Sequence, residues 1–100
     1  MGRKADESKY IEEENALWQR LRESQNQVWR TSKGLEFRYR IVGNEMFVER
    51  KAKSVTRATV NVAYRVAKEK GIVSGPKKLG VFGSSYLWAV FVGLGVCKTE

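Results

Sequence analysis

A small α+β domain, ordered helix, β-hairpin, helix, helix, is the fold class this 100-residue chain predicts. Three observations carry that expectation. Apolar residues recur at helical spacing from Tyr10 to about Arg30. They then alternate with charged residues from Leu35 onward, the period of a half-buried strand. Beyond Ser54 a second helical stripe is followed by a continuous apolar run. With 42 % hydrophobic residues, the chain has material for one core and no second domain. Residues 10–100 are therefore read as one globular unit. Residues 1–9, polar and of mixed sign, are read as a frayed end.

In the first helix Tyr10, Ile11, Leu17, Trp18, Leu21 and Val28 fall on one face. Glu12-Glu13-Glu14 would lie near its N-terminal end, where carboxylates meet the positive end of the helix dipole. A two-stranded coiled coil is the weaker reading, because Ser24 and Gln25 interrupt the stripe. Thr31-Ser32-Lys33-Gly34 ends the helix. From there Leu35, Phe37, Tyr39 and Ile41 face one way and Glu36, Arg38 and Arg40 the other. Gly43-Asn44 supplies a two-residue turn that sets Ile41 opposite Met46, Tyr39 opposite Val48 and Arg38 opposite Glu49. Register, buried face and charge pairing agree.

After the basic link Arg50-Lys51-Ala52-Lys53, Ser54 or Thr56 caps a second helix that runs to about Lys70 and stops at Gly71. Its inner stripe is read as Val55, Thr59, Val62, Ala63 and Val66. The opposite face carries Arg57, Asn61, Tyr64, Arg65 and Lys68 at spacings that project them together. A connection containing Pro76, Lys77 and Lys78 leads to a last helix capped by Ser84 or Ser85 and continuing to Leu94. Being apolar all round, it belongs in the middle of the domain, packed on the Leu35/Phe37/Tyr39/Ile41 face. A strand over Ala89–Val96 competes, since Val and Phe favour strands and two glycines weaken a helix.

Function is signalled by where the charge sits. Arg50 to Lys78 holds nine Lys and Arg against one Glu, a local +8 that equals the net charge of the chain. Such a cluster favours a polyanionic partner. Arg50, Lys51, Lys53, Lys70, Lys77 and Lys78 are the expected phosphate contacts, flexible cations that position a nucleic acid without reading it. Arg57, Asn61 and Arg65 are the expected base readers, since Arg suits guanine and Asn adenine in a major groove. The expected ligand is nucleic acid, double-stranded DNA in preference to RNA. The rival reading is a protein–protein adaptor or homo-oligomer that uses Trp18, Trp29 and the first helix as its contact surface.

Motifs sharpen this only in part. In Ser74–Ser85 the Lys and Ser/Thr that a phosphate loop needs after its second glycine are replaced by Val81 and Phe82, which excludes a nucleotide-hydrolysing loop. Gly80-Val81-Phe82-Gly83 resembles the GXXG turn of KH nucleic-acid-binding domains, with apolar middle residues where that family is often basic. Val73-Ser74, Leu79-Gly80-Val81, Ser84-Ser85, Leu87-Trp88, Phe91 and Leu94-Gly95-Val96 resemble the helix-turn-helix of Fis-type DNA-binding proteins, which implies a DNA-binding helix pair. The last helix lacks that family's groove-facing cations, and Pro76 falls within the first. Finally, Ser54–Val60, Gly75–Leu87 and Leu94-Gly95-Val96 resemble a group of short bacterial proteins of uncharacterised function, a likeness that implies no activity.

Enzymatic chemistry is not expected. The chain has no His, the commonest general base and metal ligand, and its single Cys97 has no activating partner. No catalytic residue, metal site or cofactor is assigned. One cysteine forms no internal disulfide, and no secretory leader is visible, so a cytoplasmic setting is expected. The apolar run from Tyr86 to Cys97 is about half the roughly 20 residues a spanning helix requires, so no membrane partner is expected.

Overall fold

A computed structural model of the chain describes the backbone of residues 2–99 and the side chains of residues 10–99. The expected frayed end, residues 1–9, lies outside the residues described with side chains. Helix α1 spans Gly2–Glu23; short strands β1 (Trp29–Arg30), β2 (Glu36–Phe37), β3 (Tyr39–Val42), β4 (Glu45–Val48) and β5 (Val55–Thr56) follow. Helix α2 (Arg57–Lys70), a 3-10 turn (Pro76–Leu79) and helix α3 (Ser84–Leu94) complete the chain. The α+β class and the order helix, hairpin, helix, helix are as expected.

The first helix ends seven residues earlier than its apolar spacing suggests, and Trp29–Arg30 pairs with β2 as a strand. The physical cause lies at the break in the stripe. Asn26 takes a positive φ of 68°, and its N–H donates to the Tyr39 carbonyl at 2.9 Å. The Gln25 side-chain oxygen accepts from the Ile41 N–H at 2.9 Å. Both residues satisfy the free edge of β3 instead of extending the helix. The Tyr39 hydroxyl in turn donates to the Leu21 carbonyl at 2.8 Å, satisfying one of the acceptors left open at the helix end.

The central hairpin has the expected register, Tyr39 opposite Val48 and Ile41 opposite Met46. Glu49 pairs with Arg38 through the backbone: its carboxylate accepts from the Arg38 N–H at 3.0 Å. Strand β5 adds to β4, with Met46 opposite Val55, so Val55 belongs to the sheet and not to the helix that follows. Phe37, Tyr39 and Ile41 are buried as expected, whereas Leu35 is 49 % exposed at the mouth of the β1–β2 hairpin. Helix α3 meets this face through Tyr86, whose ring stands edge-on to Phe37 at 4.9 Å, while Tyr39 bonds to α1.

Helix α2 is capped by the Thr56 hydroxyl, which accepts from the Thr59 N–H, and closes at Gly71. Its buried residues are Val60, Ala63, Tyr64 and Ala67, one face at intervals of three and four. The expected stripe through Val62 is displaced, and Val62 stands 53 % exposed. Two apolar stripes with equally good spacing run along this helix, and the partner across the interface selected one of them. Helix α3 is a helix and not the competing strand. Neither Ser84 nor Ser85 caps it; Gly83 does, at φ 78°. A Cβ there would stand 2.7 Å from a methyl of Val55, so the glycine lets the entry to α3 close onto β5.

Candidate nucleic-acid interface

The three residues expected to read bases do share a face of α2, but two of them, Arg57 and Arg65, are engaged by α1. The Arg57 guanidinium donates to the Asn15 side-chain oxygen at 2.7 Å and the Asn44 side-chain oxygen at 3.3 Å, and it lies 5.4 Å from the centre of the Trp18 ring. Arg65 donates through Nε to Glu14 at 2.7 Å and lies over Tyr10 at 5.5 Å. The Asn61 side-chain oxygen is buried with no hydrogen-bond donor among the described residues. Next to them the Tyr64 hydroxyl donates to Glu13. Burial first, then the Glu13 hydrogen bond and the adjacent carboxylates, push the Tyr64 phenol well above its ordinary range. Arg57 and Arg65 therefore tie α2 to α1, while Asn61 lines an open groove with Arg57, Asn44 and Thr56.

Glu13 and Glu14 explain why. Because α1 begins at Gly2, the acidic run lies in mid-helix and not at the dipole end, with Glu13 and Glu14 facing Tyr64 and Arg65 of α2. Glu14 is 5 % exposed. A buried carboxylate requires a paired charge, and Arg65 supplies it.

The cations expected to contact phosphate are on the surface, in three places. Lys70 is exposed at the C-terminal end of α2, and Lys77 and Lys78 are exposed on the 3-10 turn. In the loop between β4 and β5, Arg50 donates to the Glu36 carbonyl and straps the loop to β2. Lys51 lies 4.5 Å above the Phe82 ring and 5.8 Å from Tyr86, and Lys53 lies 5.9 Å from Phe82. Phe82 is 45 % exposed. The ring follows the 3-10 turn in sequence, so the chain leads from the Lys77/Lys78 segment to the exposed aromatic that Lys51 and Lys53 cover. Each such contact is worth about 0.5–1 kcal/mol at an exposed site, enough to order a loop without binding up its cations.

A further surface has no counterpart among the sequence expectations. On the outer side of the β3–β4 hairpin, Arg40 pairs across the strands with Phe47 and its guanidinium lies 5.3 Å from the ring centre. Arg38, Glu49 and Lys51 complete an open groove of about 400 Å³ around this pair. Its signal is present in the alternation that sets Arg38 and Arg40 outward; what alternation does not carry is that Phe47 lies beneath them and Lys51 beside them.

Of the two tryptophans named for an adaptor surface, one is in the core and the other is half-buried. Trp18 is buried and donates to the Gly43 carbonyl at 3.3 Å. The Trp29 ring lies over Gly93 of α3. The helix-turn-helix expected over residues 73–96 has as its first member only the single 3-10 turn, and Leu87, Ala89, Val90 and Phe91 of its second are buried. Cys97 is buried, which raises its thiol above the ordinary value. Among the described residues no group of three potential metal ligands converges, and no helix is long and apolar enough to cross a membrane.

No protein-family model matches this chain, and comparison with curated proteins and with solved structures finds no match.

Proposed function

We propose that this protein binds nucleic acid through the phosphate backbone, with Lys51, Lys53, Lys77 and Lys78 as the principal contacts and Arg50 and Lys70 at the margins. The reading rests on one observation: Lys51 and Lys53 lie over the exposed ring of Phe82, which follows the exposed Lys77 and Lys78 closely in the chain. Flexible cations around a half-open aromatic suit a charged polymer better than a small polar substrate. The engagement of Arg57 and Arg65 by α1 weakens the major-groove reader on which the preference for duplex DNA rested. What is left is backbone recognition without base specificity. The protein is read as a binding protein and not an enzyme, and its lone cysteine suits a reducing, cytoplasmic setting.

The test is fluorescence anisotropy with labelled random-sequence nucleic acid, duplex and single-stranded, at about 50 and 200 mM salt. Replacing Lys51, Lys53, Lys77 and Lys78 with Ala should flatten the dependence of log K on log salt by about 0.7–0.9 for each phosphate that the variant leaves unneutralised. Absence of binding by the parent to either form at the lower salt would refute the proposal.

A further inference from the structure

We infer that the outer face of the β3–β4 hairpin, together with Phe82 on the far side of Lys51, is a stacking site for the unpaired bases of single-stranded nucleic acid, with Phe47 and Phe82 as its two platforms. This names the substrate class of the phosphate-binding surface proposed above and rests on that reading. The groove beside Phe47 is lined by Arg38, Arg40 and Lys51 against one carboxylate, Glu49. That carboxylate already accepts from the Arg38 backbone N–H, so the net charge facing an occupant is positive. Arg40 covers the Phe47 ring at 5.3 Å, and a planar guanidinium on an aromatic face is itself a surface on which a base can stack. Lys51 lines the groove and also lies 4.5 Å above Phe82, which makes cations and rings alternate from one platform to the next.

A duplex keeps its bases inside the stack and offers Phe47 nothing but sugar and phosphate. A single strand exposes a π-face at every nucleotide and satisfies ring and cation together. The two modes differ in sign. Binding through phosphate alone favours the duplex, which carries about one charge per 1.7 Å of axis; binding by stacking favours the single strand despite its lower charge density.

The experiment compares a labelled 12-nucleotide oligothymidylate with a mixed-sequence duplex of the same strand length, by anisotropy at fixed salt and then across a salt series. Phe47→Leu and Phe82→Leu remove the π-face while keeping apolar volume, and circular dichroism checks that each is folded. Phe82 is exposed enough that its variant remains informative if the Phe47 variant does not fold. The expected result is a single strand bound about tenfold more tightly than the duplex, with each folded variant losing about tenfold for the single strand, little for the duplex, and nothing in salt slope. A duplex bound as tightly as the single strand, or variants that bind the single strand like the parent, would overturn the stacking site. If single-strand binding then falls only in the Lys51/Lys53/Lys77/Lys78 variant, the phosphate reading stands and the platform is refuted. Absence of binding to both forms removes the two proposals together.

Discussion

Gly93→Ala sets two effects of known size against each other. The residue lies inside α3, where exchanging glycine for alanine ordinarily stabilises by about 1 kcal/mol. Here the new Cβ would stand 2.5 Å from Cζ3 of Trp29 and 3.2 Å from its Cε3. Carbon atoms pack at about 3.5–4.0 Å, so the rigid indole must retreat by about 1 Å, and overpacking of this kind costs about 1–3 kcal/mol. Taking about 2 kcal/mol for the clash and subtracting the helix gain gives a net loss of about 1 kcal/mol. In a domain of this size that lowers the melting temperature by about 4–8 °C. The assay is thermal and urea unfolding followed by circular dichroism, in parent and Trp29→Val backgrounds. Without the indole only the propensity gain remains, so the same substitution should reverse sign and stabilise by about 1 kcal/mol. If Gly93→Ala stabilises both backgrounds alike, the packing of Trp29 on α3 is wrong.

The α1/α2 interface makes a second, asymmetric prediction. Arg65→Met leaves the Glu14 carboxylate buried and unpaired and should cost about 2 kcal/mol, below the usual figure for a broken buried pair because the Arg65 side chain is 40 % exposed. Glu14→Gln leaves a neutral acceptor opposite an arginine that water can reach, and should cost less than half as much; equal losses in urea unfolding would contradict the burial of Glu14. A third concerns alkaline pH. Burial raises the Tyr39 and Tyr64 phenols above their ordinary value, so the folded state holds protons that the unfolded chain releases at about pH 10. Stability is therefore complete below that pH and declines as pH rises through and beyond it. The double variant Tyr39→Phe/Tyr64→Phe should show a shallower decline in unfolding free energy between about pH 9.5 and 11; an unchanged slope would rule these two phenols out as its source.

Local chemistry was decisive wherever a choice involved only neighbours in the chain. The Tyr39/Val48 and Ile41/Met46 register follows from strict alternation on both sides of a two-residue turn, because a slip by one residue would reverse every buried side chain. The limits of α2 follow from a threonine cap and a glycine stop. The sequence alone also located the charge and placed Arg38 and Arg40 outside the hairpin. Tertiary structure decided everything that depended on a partner distant in the chain. Gln25 and Asn26 end α1 because a strand edge offers them hydrogen bonds. The stripe through Val60 is buried in preference to the one through Val62 because Glu13 and Glu14 on α1 hold the Tyr64–Arg65 side of α2. That pairing also ties Arg65 to α1, as the Asn15 hydrogen bond ties Arg57. A guanidinium beside a buried carboxylate and one free in water look the same in sequence, and only the fold brings the carboxylate within 3 Å.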